Sequence, residues 1–352
     1  MKKLLLLAAV CFGLFTGCET DFEVNSVWKE TTVVYGLLDI NQSVQMIKVT
    51  KAFLGEGDAN QFAQNPDSSN YNPADIEVRL LARKPGSTDQ VILLHDSLLP
   101  NKKPGSFSTQ KNIVYVTYAK LDSSKTYTLE VKNLKTGNLC TASTPVIETV
   151  RYNKIGNNNL YVQFSTAPSS PTINGTYSDP ILTWTSKPNA RTYQTNVRFY
   201  YIEKNLISGN MESKYLDWLQ APVVSNNISG GEVLQQKISG LAFYQFLQSQ
   251  LTEDGNLSRT ASYLEFTISV GSDELYNYIN VNTPSGDLNQ DKPVYTNVSN
   301  GLGIFSSRTN FETVRYLCNE SLSPPRLCNS STSSMAELVV GKFTNKLGFK
   351  YN

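Results

Sequence analysis

A single histidine stands in a chain of 352 residues, and that scarcity excludes more chemistry than any local motif supports. His95 would have to serve every histidine-dependent proton transfer or metal ligation, and no Gly-x-Ser-x-Gly elbow accompanies it. In Leu94-His95-Asp96 it reads as a strand-end residue. Cysteine is also sparse, five in all, and Cys11 and Cys18 fall at the very start, so zinc centres built on Cys and His spacing lack ligands. Charged residues make up only 17% of the chain and balance to +1 without any basic run, which argues against nucleic acid as a partner. Beyond the N-terminus no apolar run is long enough to span a bilayer as a helix. These absences point away from an enzyme and imply no cofactor. A hydrolase whose two carboxylates are brought together by folding leaves no local signature and stays open as a lesser alternative.

What is present begins with Lys2 and Lys3, followed by the apolar run Leu4 to Phe15 and the small residues Thr16-Gly17. That is the order of a secretory signal, and Phe15-Thr16-Gly17-Cys18 fits a lipobox, with Phe15 where Leu is usual. The expectation is removal of residues 1–17 and lipidation of Cys18, whose acyl chains contribute about 0.8 kcal/mol per buried CH2 to membrane anchoring. A plain signal with a chance cysteine is the alternative. Residues 18–26 then form an acidic tether carrying Glu19, Asp21 and Glu23. Anionic lipid repels such a segment. It resembles the surface-export signal of Bacteroidota lipoproteins; an ordinary solvated tether is the bland alternative.

From Thr31 to Thr144 the pattern has period two. Val33, Tyr35 and Leu37 alternate, as do Ile47 and Val49, and Ile76, Val78 and Leu80. Val91 to Leu94, Ile113 to Tyr118 and Tyr127 to Val131 follow, punctuated by Lys84-Pro85-Gly86, Lys103-Pro104-Gly105 and Lys135-Thr136-Gly137. Short strands so spaced predict an immunoglobulin-like β-sandwich over residues 27–145, with a polar insertion from Gly55 to Pro73. Pro145 ends the pattern. Residues 146–352 read as a larger sandwich or barrel-like domain with a few short helices, so the whole is all-β. Strands are expected at Lys154-Ile155, Leu160 to Phe164, Ile181 to Trp184, Tyr193 to Tyr201, Leu264 to Val270 and Met335 to Phe343. Leu241, Tyr244, Leu247 and Leu251 make a helical stripe after Ser239-Gly240.

One segment joins several signals, Ser269 to Arg308. Ser272 is an N-cap, Asp273 and Glu274 suit the positive end of a helix dipole, and Leu275, Tyr278 and Ile279 share an apolar face. After a polar loop, Val294 to Val298 and Gly301 to Phe305 read as two short strands around an Asn300-Gly301 turn of type I′, with both central residues at positive φ. Gly303 marks either a bulge or a place where another backbone comes too close for a Cβ. The order Asp273-Glu-Leu-Tyr-Asn-Tyr-Ile279, polar loop, Pro293-Val-Tyr-Thr-Asn-Val-Ser-Asn-Gly-Leu-Gly-Ile-Phe305 resembles the closing segment of a family of Bacteroidota outer-membrane lipoproteins of unassigned function, often encoded beside TonB-dependent receptors. The resemblance implies an outer-membrane location facing the cell exterior and a receptor as partner. It implies no reaction. The expected role is a ligand- or partner-binding accessory of such a receptor; a structural or adhesive lipoprotein is the competing class.

Cys318 and Cys328 flank Pro324-Pro325, which turns the chain so that a disulfide can close; two unpaired loop thiols are the alternative. Cys140 reads as a small buried hydrophobe in a strand. Asp287, Asn289 and Asp291 begin like a calcium loop, but Lys292 and Val298 stand where such a loop needs Gly and Glu, and a solvated turn explains them equally. No metal site is assigned. Among the aromatics, Tyr200, Tyr215, Trp218 and Tyr295 have neighbours polar enough to leave them partly exposed for ring stacking with a ligand.

Overall fold

The computed structural model describes residues 31–52, 58–100, 102–156, 162–283, 294–311, 314–317 and 332–351. Strands β1 (Thr32–Leu38) and β2 (Gln45–Lys51) form the first hairpin. The polar insertion after them holds two short helices, α1 (Ala59–Gln64) and α2 (Pro66–Ser69), and one 3-10 turn, Pro73–Asp75. Each starts on an acidic or amide side chain, Asp58, Asn65 or Asn72, that accepts a backbone N–H two residues on, which is how so polar a stretch acquires turns. Then come β3 (Ile76–Arg83), β4 (Gln90–Leu93), β5 (His95–Leu98), β6 (Ile113–Thr117), β7 (Thr126–Asn133) and β8 (Leu139–Pro145). The sheet β4-β3-β7-β8 packs on the sheet containing β1, β2, β6 and β5. Val34, Ile47, Val78, Leu80 and Leu129 meet between them, each at most 2% exposed, so the expected sandwich is present.

The chain continues through β9 (Tyr152–Ile155), β10 (Ser165–Ala167), β11 (Thr176–Tyr177), β12 (Ile181–Thr185), β13 (Ala190–Asn205), β14 (Met211–Leu219), β15 (Val223–Val224) and β16 (Val233–Lys237). Helix α3 (Gly240–Gln250), β17 (Leu257–Ser272), α4 (Asp273–Asn282), β18 (Gly301–Asn310), β19 (Val314–Leu317), α5 (Thr332–Val340) and β20 (Phe349–Lys350) complete it. The long strands β13 and β17 pair antiparallel along their lengths, with register shifts at Ala190/Thr192 and, near their middle, at Tyr200/Tyr201. Their inward residues, Val197, Phe199, Leu264 and Phe266, join Trp184 of β12 and Phe243 of α3 in a second core. No sheet closes on itself among the described residues, so this half is sandwich-like rather than a barrel.

Strand β18 departs from the expected hairpin. Val294 to Val298 forms no strand, and of the Asn300-Gly301 pair only Asn300 is left-handed, with φ 57°. Instead β18 runs parallel to β1, from Thr32↔Gly301 to Leu38↔Ser307, and its end turns to pair with β17 at Ser269↔Asn310. One open 11-stranded sheet therefore runs β14-β13-β17-β18-β1-β2-β6-β5, with β15, β19 and β20 on side branches. Phe305 of β18, fully buried, sits in the N-terminal core, so the division at Pro145 is crossed by a strand. A local hairpin loses because the other partner is better: the Asn297 side chain takes the Phe305 carbonyl and N–H as a strand would, at 2.7 and 3.0 Å. The Gly303 backbone, at φ 102°, meanwhile lies directly against Val34. Close approach, not a bulge, is the reason for that glycine.

Three further expectations change. Val34, Gly36 and Leu38 are the residues of β1 turned into the sandwich, whereas Val33, Tyr35 and Leu37 face the other way. Met335 to Val340 is helical, not extended: the buried set Ser334, Met335, Glu337 and Leu338 follows 3- and 4-residue spacing that a strand cannot present on one face. In the expected strand Leu160 to Phe164, the first two residues lie outside the described residues and Val162 to Phe164 precede β10 without joining it. The helices at Ser239 and Ser272 start where expected, each capped by its serine.

Candidate functional site

The outward face of β18-β1-β2 is the floor of a groove of about 570 Å³. Val33 stands between its cross-strand neighbours Leu302 and Thr50, and Tyr35 beside Lys48. Helix α4 forms one wall with Tyr278 and Asn282, continued by Val294 and Tyr295. The opposite wall is the end of α2, at Ser69 and Asn70, and the segment from Lys102 to Lys111 with Phe107 and Gln110. Helix α4 stands over this face because Ser272 caps it at the end of β17, and Arg191 of β13 holds its first turn through Asp273 at 3.4 Å and over the Tyr276 ring at 5.5 Å.

Four lysines line this groove, Lys48, Lys51, Lys102 and Lys111, and no carboxylate is among its described lining residues. The Lys48 amine donates to the Ile113 carbonyl at 2.7 Å and to Asn112 Oδ1 at 3.3 Å, which fixes it at the groove floor. Burial, and then the neighbouring Lys102 cation, pull its pKa below the ordinary lysine value. Lys102 donates to the Ser108 carbonyl at 2.7 Å and lies 5.8 Å from the Phe107 ring centre. Lys51 stands over Tyr71 at 5.9 Å, and Lys111 is paired with Asp67, outside the groove lining, at 2.6 Å. The phenols are tuned as well. Burial first, then the hydrogen bond with Tyr35, raises Tyr278; burial, then the Glu274 and Asp273 charges, raises Tyr295. Both stay neutral hydroxyls at physiological pH, able to donate and to accept.

Among the described residues no three His, Cys, Asp or Glu side chains come together to hold a metal ion. His95 is exposed in β5, away from the lining. Cys140 is buried in β8 and donates its thiol to the Asn300 carbonyl at 2.8 Å. Cys18, the pair Cys318 and Cys328, and Asp287, Asn289 and Asp291 lie outside the described residues.

Of the aromatics singled out, only Tyr295 reaches the groove. Tyr200 and Tyr215 belong to a ladder near the far edge of the sheet, where Tyr200 stacks on Tyr263 at 4.1 Å and Arg198 lies 4.3 Å from the Tyr215 ring while gripping Asp217. Trp218 is taken up by packing on Phe246. The groove lysines are scattered over β2 and the Lys102 to Lys111 segment, and nothing local in the sequence joins them. Tyr35 and Tyr278 were in view, but as strand and helix positions.

No curated protein matches the chain. A family model does, over residues 19–313, a span that takes in the N-terminal sandwich and the second half as far as α4 and β18, short of β19, α5 and β20, and on that match the chain belongs to the family described as Domain of unknown function (DUF4249).

Proposed function

We propose that this protein is a surface-exposed outer-membrane lipoprotein, anchored through Cys18, that binds a ligand in the groove as an accessory of a TonB-dependent receptor. It acts by binding and not by turnover. The observation that supports this reading best is the groove itself: a concave face of about 570 Å³ lined by rings and by the amines of Lys48, Lys51 and Lys102, with no carboxylate among its described lining residues. The anchor and the receptor rest on the sequence, on Phe15 to Cys18, the acidic residues after it and the resemblance around Asn300-Gly301-Leu302-Gly303.

The test is extraction of the native membrane in mild detergent. The expected result is co-purification of a β-barrel receptor with the wild-type chain, and loss of membrane attachment in Cys18→Ser. A chain that stays on the membrane after Cys18→Ser, or that leaves it without any barrel partner, overturns the anchor or the partnership respectively.

A further inference from the structure

The groove offers three kinds of contact. Rings come first: Tyr35, which is 47% exposed on the floor, Tyr278 and Tyr295 from the α4 side, and Phe107, 50% exposed, from the opposite wall. Amines come second, from Lys48, Lys51 and Lys102. Third are neutral hydrogen-bonding groups, the hydroxyls of Thr50 and Ser69 and the amides of Asn70, Gln110 and Asn282. A ligand that uses all three has ring faces, negative charge and many hydroxyls.

Other anions fit less well, each for a reason visible in the groove. β1 at the centre of the floor is paired to β2 on one edge and β18 on the other, so an extended peptide lying there finds side chains and no ladder to join. A nucleic acid strand needs cations along a track, and this chain balances to +1 with its lysines here confined to a pocket. An acyl chain would press hydrocarbon against the Thr50, Ser69, Asn70 and Gln110 polar groups and leave them unsatisfied. No arginine is among the groove's described lining residues, so its cations are compact, hydrated point charges that take carboxylate, sulfate or phosphate without a planar fork. Flat phenol faces suit the apolar faces of pyranose rings, and their hydroxyls suit sugar hydroxyls. Lys48 and Lys102 also lie close enough to repel one another, and an anion bridging them removes that cost.

We infer that the groove binds an acidic oligosaccharide, its carboxylate or sulfate groups on Lys48, Lys51 and Lys102 and its sugar rings on Tyr35, Tyr278 and Tyr295. This rests on the binding reading given above and narrows it to one ligand class. A volume of about 570 Å³ suits a short saccharide segment.

Titration calorimetry on the full-length mature chain in detergent tests it, using trigalacturonate and a chondroitin sulfate tetrasaccharide as acidic sugars, maltotriose as the neutral control and a penta-aspartate peptide as the rival anion. At least one acidic sugar should bind, with maltotriose weaker by about tenfold or more, the loss expected from about 1.4 kcal/mol of charge-assisted contact. Lys102→Met and Tyr278→Ala should each weaken it by about tenfold, and Tyr278→Phe, which keeps the ring, by less. Tyr215→Ala on the distant ladder should leave it unchanged. Thermal melts accompany every variant, and Tyr278→Phe carries the test if Tyr278→Ala fails to fold. Equal binding of maltotriose, or affinity untouched by Lys102→Met and Tyr278→Phe together, overturns the inference. Tighter binding of the peptide through the same residues replaces the ligand class and leaves the groove as the binding site. Failure of every ligand while the barrel receptor still co-purifies sinks the saccharide and spares the receptor partnership; sugar binding without a co-purifying barrel does the reverse.

Discussion

A Cβ placed on Gly303 would lie 2.0 Å from the carbonyl oxygen of Val34. The two residues are register partners in the parallel β1/β18 pairing, and Gly303 is left-handed there, with φ 102°. Gly303→Ala is therefore expected to cost more than about 1 to 3 kcal/mol, the backbone strain alone, because the collision is with main chain that cannot rotate away. Gly105→Ala, with nothing within 4 Å and no positive φ, should lie within about 0.5 kcal/mol of wild type. Urea denaturation of the two variants checks this; equal midpoints refute it. Gly301 differs in kind. Its added Cβ would meet the Thr32 carbonyl oxygen at 2.8 Å without a positive φ, so Gly301→Asn should be no milder than Gly301→Ala.

Asn297 acts as a short substitute strand for Phe305. Removing it in Asn297→Ala leaves a buried N–H and a buried carbonyl without their partner, at about 1 to 3 kcal/mol for each group. The Phe305 amide should then exchange with deuterium faster than in wild type. An unchanged exchange rate there would mean that the side chain contributes no protection.

Arg259 is 2% exposed, and its charge is met by Glu203, Nε to Oε2 at 2.8 Å, with Nη1 donating to the Leu347 carbonyl at 2.5 Å. Burial pushes the Glu203 carboxyl up, but hydrogen bonds from Lys214 and Arg259 outweigh it and hold its pKa below the ordinary value of 4.5. A carboxyl depressed in the folded state contributes stability that is fully present above its unfolded pKa and is lost as pH falls through the folded one. Acid unfolding below about pH 4.5 should thus carry a Glu203 component that Glu203→Gln removes. At neutral pH Glu203→Gln should cost about 3 to 5 kcal/mol, since it strands a buried guanidinium. A stability curve with the same acid limb in both proteins would falsify the assignment.

Glu337 of α5 is fully buried and accepts from the Ser169 N–H, from Ser169 Oγ at 2.7 Å and from the Tyr177 hydroxyl at 2.9 Å. In Glu337→Gln one carboxylate oxygen becomes an NH2 that faces donors. The expected loss is about 1 to 3 kcal/mol by denaturant titration, although size and shape are preserved. No loss would mean that the donors find other acceptors.

Much of the fold was legible because the strands advertise themselves locally. Leu264, Phe266, Ile268 and Val270 alternate, and all are buried in β17; Ser239 and Ser272 cap the helices they precede. What failed was partner choice. Asn300-Gly301 has the composition of a hairpin turn, yet the partner of Gly301 is Thr32, almost the whole chain away, and no local rule weighs the two. The helix α5 was hidden by its valines, and Glu337 meets donors far back in the chain, at Ser169 and Tyr177. For the groove, Val33 and Tyr35 were visible as one face of a strand, but which face met the core depended on where β18 and α4 came to lie.

The parallel pairing of β1 with β18 also dictates an order of assembly. Synthesis delivers Thr32 long before Gly301, so β1 must wait with one edge bare until the far end of the chain arrives. A waiting edge is a template for any other strand, and a chain crossing a membrane unfolded would need it shielded. A fragment cut after Pro145 keeps that edge permanently and also lacks Phe305, so it should recruit a second copy instead of standing alone. Light scattering of such a fragment beside the full chain reads this directly. The N-terminal sandwich is in this sense not a portable module but half of a closure that the last strands complete.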